Sequence, residues 1–203
     1  MSSYVPDPFG PAAVQSVTVD IYTTAYRVSG VATSRFSRVA DILNQVVSTH
    51  LTVEQATISE YADPTATLSA SQVLMTLDEI LFVVLHDTDH VTRPEMRIPK
   101  RAVRAQVGLP PFRITGSLHI TQGGRPVDGL LNVAERFVPI TDATITAASF
   151  PELGREVSAL AIQRSRAHIM LITDDAPAGT LLADVLDEET AERWLKRPEE
   201  RTR

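Results

Sequence analysis

Val17-Thr-Val-Asp-Ile-Tyr22 alternates apolar and polar side chains, the period of a half-buried strand, and Val103, Ala105 and Val107 alternate in the same way. Arg27-Val-Ser-Gly-Val31 follows the first of these and Arg113-Ile-Thr-Gly-Ser-Leu-His-Ile120 the second. Each carries an internal glycine, which within a strand marks a bulge or a sharp bend. The spacing then turns helical, through Val39, Ile42, Leu43 and Val46 and again through Val127, Leu130 and Leu131. Ser37 is placed to cap a helix over Arg38–Val46, and Pro126, after Gly123-Gly124, suits the first turn of one over Pro126–Val133. Three more strands follow in each case: His50–Glu60, Thr67–Met75 and Glu79–Leu85, then Arg136–Ala147, Glu156–Arg164 and His168–Thr173.

These two series match block by block. Tyr26-Arg-Val-Ser-Gly30 corresponds to Phe112-Arg-Ile-Thr-Gly116, and Val39-Ala-Asp-Ile-Leu-Asn44 to Val127-Asp-Gly-Leu-Leu-Asn132. Leu51-Thr-Val-Glu-Gln-Ala-Thr-Ile58 corresponds to Val138-Pro-Ile-Thr-Asp-Ala-Thr-Ile145, and Ile80-Leu-Phe-Val-Val84 to Ile169-Met-Leu-Ile-Thr173. The offsets are 86, 88, 87 and 89 in that order, so the chain reads as a tandem duplication of a β-β-α-β-β-β unit. The expected organisation is a disordered segment 1–13, a first unit 14–86, a polar, proline-bearing linker 87–99 and a second unit 100–175. A C-terminal amphipathic helix over 180–197 carries Leu182, Val185, Leu186 and Trp194 as a stripe for docking on a partner or on the chain itself.

Two strands, a glycine in the second, a third strand and a closing pair make an order that resembles the Sm-like small barrel. Ala161-Ile-Gln-Arg-Ser-Arg-Ala-His-Ile169 is similar in placement to that family's second signature. The resemblance implies a mainly β fold with short helices: two tandem small β-barrels of the Sm-like or SH3-like kind, each β-β-α-β-β-β, plus the terminal helix. The chain departs from the pattern in two places. A helix over Arg38–Val46 replaces a short loop, and Ser165 follows Arg164 where the family has glycine. Those loops form the family's RNA-base pocket, so its RNA activity is not carried over. The unit also resembles a bacterial domain family that opens on Tyr-Arg-Ile-x-Gly, a likeness that implies no activity.

Composition narrows the function. With 203 residues, 43% of them hydrophobic, the chain can bury substantial cores. It contains no cysteine, which excludes disulfides, thiolate metal sites and a cysteine nucleophile. Its first ten residues hold no basic stretch ahead of an apolar run, and Ile80-Leu-Phe-Val-Val-Leu85 is too short to span a bilayer. A soluble, cytoplasmic protein is expected, without membrane contact. The net charge of −6 is unevenly spread: residues 1–91 hold 3 basic and 10 acidic side chains, residues 92–173 hold 11 and 6, and residues 174–203 hold 5 and 9. Such blocks suit complementary surfaces that meet within or between chains, or a nucleic-acid face on the second unit.

The candidate chemistry is sparse. No Gly-x-Ser-x-Gly elbow, phosphate-cradling loop or dinucleotide fingerprint is present, so neither an enzyme nor a cofactor is expected. His86, Asp89 and His90 are the densest group of potential metal ligands, although consecutive side chains on an extended loop point apart. Arg97, Lys100, Arg101, Arg104, Arg113 and Arg125 are the candidates for phosphate contact, but only Phe112 and Phe137 lie near the second unit's arginines to stack bases. Asn44 and Asn132 suit helix C-caps. The leading expectation is an assembly or adaptor module that self-associates, as a homo-oligomer, or binds another protein. Nucleic-acid binding is the alternative, and a small-ligand sensor between the units the third.

Overall fold

The computed structural model describes residues 14–86, 100–121 and 135–173. Ten strands lie in them: β1 (Gln15–Tyr22), β2 (Tyr26–Ser34), β3 (His50–Glu60), β4 (Thr67–Thr76), β5 (Phe82–His86), β6 (Lys100–Leu109), β7 (Phe112–Thr121), β8 (Phe137–Ala147), β9 (Arg155–Gln163) and β10 (Ile169–Thr173). All belong to one sheet, in the order β10-β6-β7-β8-β9-β5-β1-β2-β3-β4, and every pairing is antiparallel. No helix among the described residues is long and apolar enough to cross a membrane.

Both halves of this sheet follow one plan. The order β5-β1-β2-β3-β4 recurs as β10-β6-β7-β8-β9. A bulge falls at the same point in each: the β2–β3 register shifts between Ser29 and Val31, and the β7–β8 register between Thr115 and Ser117. Opposite the bulge glycines, Gln55 and Asp142 each adopt φ 49°. A Cβ on Gly30 would lie 2.6 Å from Val53 Cγ1 and 2.7 Å from the Glu54 carbonyl oxygen. On Gly116 it would meet Ile140 Cγ2 and lie 2.9 Å from the Thr141 oxygen. The glycines let β2 and β7 fold down onto their neighbours, which bends each half around a core.

Two hydrophobic clusters result, and each draws on both halves. Val19, Ile21, Ile42, Leu43, Val53 and Val83 of the first half surround Phe137 and Ala161 of the second. Tyr22, Tyr61, Phe82 and Val84 of the first half join Phe112, Ile114, Ile140, Leu160 and Ile162 of the second. Neighbours on one strand therefore enter different cores, Ile21 against Tyr22 and Phe82 against Val83, so the middle of the sheet is buried on both faces. Aromatic rings fill the junction. Tyr22 stacks on Phe82 at 4.4 Å, and Phe112 meets both edge-on, at 5.6 and 5.0 Å.

The expected pair of separate small barrels is replaced by this single open sheet of ten strands. The reason is the pairing of β5 with β9, Phe82 to Ile162, Val83 to Ala161 and Val84 to Leu160. Over these paired residues both strands are apolar on both faces, and each covers an edge the other would leave open. The only α-helix among the described residues is α1 (Val39–Asn44), shorter than Arg38–Val46; its N-cap is Arg38, with no side-chain cap bond, rather than Ser37. The expected helices over Pro126–Val133 and 180–197 lie outside the described residues. The last block match also shifts: Phe82 pairs with Tyr22 as Ile169 does with Gly108, so the halves correspond at offset 87 here, not 89.

Candidate assembly interface

The junction of the halves shows how two edges of this chain fit together. All six residues of the β5–β9 ladder, Phe82, Val83, Val84, Leu160, Ala161 and Ile162, are 1% exposed or less. Polar anchors flank it. Asn44, at the end of α1, donates to the Phe137 carbonyl and accepts from the Phe137 N–H, both at 2.9 Å, so its amide pairs with β8 as a strand residue would. This is a different role from the expected C-cap; the cap residue is Gln45. The Gln163 N–H donates to the Leu81 carbonyl at 2.8 Å. Its side-chain amide, turned so that nitrogen faces carbonyls, donates to Leu77 and Ile80.

Asp20 holds the remaining anchor. It is buried on β1, with Arg155 Nη2 of β9 at 2.9 Å, His86 Nε2 at 3.0 Å and the Ser29 hydroxyl donating to it. Burial by itself would push this carboxyl up. The Ser29 and His86 hydrogen bonds and the Arg155 charge outweigh burial and hold it below the ordinary carboxylate range. The Arg155 guanidinium also lies 5.3 Å from the centre of the Tyr22 ring. Further out, Arg166 meets Glu79 at 3.6 Å and Arg136 meets Asp78 at 3.9 Å, exposed pairs that contribute orientation more than energy. Basic residues of the second half thus face acidic residues of the first within one chain.

At the two ends of the sheet the same elements have no strand beside them among the described residues: β4 at one end, β10 at the other. Their positions match the internal junction. β4 pairs with β3 as β9 does with β8, which sets Val73, Leu74 and Met75 in the places of Leu160, Ala161 and Ile162. β10 pairs with β6 as β5 does with β1, which sets Ile169, Met170 and Leu171 in the places of Phe82, Val83 and Val84. The turns before β5 and β10 agree as well, with Leu81 N–H on the Tyr22 carbonyl and His168 N–H on the Gly108 carbonyl. Yet Leu68 is 68% exposed, Leu74 63%, Ile169 60% and Leu171 55%.

The other candidate residues scatter. Arg104 and Arg113 are exposed on one face of β6 and β7, whereas Arg101 pairs with Ile120 on the opposite face. Lys100 opens β6; Arg97 and Arg125 lie outside the described residues. His86 is held by Asp20, Asp89 and His90 lie outside, and no group of three metal-ligating side chains occurs among the described residues. Leu182, Val185, Leu186 and Trp194 are also outside. A shallow depression between the halves is lined by Arg27, Ser59, Glu60, Tyr61, Glu152 and Leu153. Neither the repeat nor any motif of the sequence marks Asp20, Arg155 or the exposed leucines. The one signal for Asp20 is a carboxylate set inside an otherwise apolar and hydroxyl-bearing strand. No family model, no curated protein and no solved structure matches this chain.

Proposed function

We propose that the chain is a tandem duplication of a five-stranded unit acting as a non-enzymatic assembly or adaptor module, whose working surfaces are the outer edges of β4 and β10. One observation carries this reading. Two edges that keep large apolar side chains in water correspond, residue for residue, to two edges that bury theirs completely. An unpaired strand edge is a template for another strand, and soluble proteins usually blunt it with charge, proline or a covering element. β4 carries no charged residue and no proline between Thr67 and Thr76. Main-chain hydrogen bonds along such an edge supply affinity, and the alternate side chains supply specificity.

Lysine at the edge tests the reading. Leu74→Lys and Leu171→Lys, separately and together, should abolish association with self or with a protein partner while leaving the melting temperature close to that of the parent chain. Association unchanged in the double variant would contradict it. Nucleic acid is the competing ligand, and binding that persists in the lysine variants but falls steeply with salt would favour it.

A further inference from the structure

We infer that the occupant of the β4 edge is β10 of a second copy of this chain, in a head-to-tail joint that repeats the internal β5–β9 junction. The inference rests on the edge-pairing function proposed above and names its partner. The register follows from the correspondence of the halves. Within the chain Phe82, Val83 and Val84 face Ile162, Ala161 and Leu160. Replacing each by its counterpart places Ile169 of the second copy opposite Met75, Met170 opposite Leu74, and Leu171 opposite Val73. Every residue in this ladder is apolar and none is fully buried in the single chain, with Leu74, Ile169 and Leu171 well exposed.

Charge is compatible with the joint but does not drive it. The counterpart of Arg155 is Leu68, and the counterpart of Asp20 is Gln106, so the buried ion pair of the internal junction is absent from the outer one. Glu79 and Arg166 are each other's counterparts in the turns before β5 and β10, so the joint brings Arg166 of the second copy beside Glu79, which its own Arg166 already meets. The outer joint is therefore an apolar strand pairing with an exposed charge pair at its side, and it should resist salt. Because the two surfaces differ, each added copy offers the same free edge again; the series closes into a ring or runs on as a filament.

The chain has no cysteine, which makes the test clean. Leu74→Cys and Met170→Cys are prepared as separate full-length proteins, mixed and oxidised mildly. The expected result is a disulfide-linked dimer in the mixture and little in either protein alone, undiminished when salt is raised to about 1 M, where exposed charges are screened within about 3 Å. Cross-linking of the Leu74→Cys protein with itself would overturn the head-to-tail joint in favour of two β4 edges meeting. No cross-link in any sample, with a monomeric mass, would overturn the second copy as occupant. Shortening that monomer at Thr173 then separates the remaining cases. Association gained on truncation would place the chain's own C-terminal segment over an edge. If truncation gains nothing, lysine-sensitive binding of another protein would leave the edge-pairing function standing without self-assembly, and loss of both would remove that function too.

Discussion

Gly30 and Gly116 stand where a strand folds onto its neighbour so closely that a methyl group has no room. Gly30→Ala or Gly116→Ala should cost about 1–3 kcal/mol, the usual penalty of overpacking, because the obstruction is partly main-chain carbonyl and cannot swing aside. Urea unfolding with an unchanged m-value checks this. Asp20 makes a different demand. Its carboxyl is held below the unfolded value of about 3.9, so its stabilising contribution is fully present above that pH and is lost as pH falls through the folded value. Asp20→Asn should lower stability near neutral pH by about 1–3 kcal/mol, toward the lower end because Arg155 keeps 27% of its side chain exposed. The gap between parent and variant should narrow on acidification. A gap that is constant from neutral to acid would show that the carboxylate charge contributes nothing. The alternating pattern marks the glycines, since a conserved offset and a strand interior single them out within one sequence. It hides Asp20, whose partners Arg155 and His86 come from strands distant in the chain.

At the scale of elements, local pattern and long-range pairing separate cleanly. The run His50–Glu60 gives β3 its observed bounds, because its period and its flanking polar residues are local properties. The partner of β5 is a non-local property. The continuous apolar run Ile80–Leu85, lacking alternation, marks a strand buried on both faces, and β9 supplies the second neighbour. That run says the strand needs partners on both sides without saying which. The offset of the last block slips by two for a related reason: a shift of two keeps every side chain on its face, so only ladder register distinguishes the alternatives. The short helix α1 is pinned from outside, through Asn44 to both main-chain groups of Phe137. Asn44→Ala leaves those two groups without the amide and should destabilise by about 1–3 kcal/mol, with faster amide exchange at Phe137. Exchange at Phe137 that matches the parent would mean α1 is held by its apolar face alone.

For the whole molecule, the internal junction and the two outer edges occupy corresponding positions in the two halves of the sheet. One pair is closed within the chain, sealed by aromatic rings, an ion pair and Asn44; the other carries leucine and isoleucine into solvent. Among the described residues, charges of the two blocks meet at the closed pair, where Arg136, Arg155 and Arg166 face Asp78, Asp20 and Glu79. The exposed leucines were legible as residues and illegible as edges, since exposure depends on which strands end the sheet. The most direct measurement is the molar mass of the intact chain in solution by light scattering, at low and high salt and with absorbance followed at 260 and 280 nm. Head-to-tail pairing of β4 with β10 predicts a multiple of 22.2 kDa that survives high salt and carries no excess 260 nm absorbance. A mass of 22.2 kDa at every concentration, or an assembly that dissolves with salt and releases nucleic acid, would contradict it.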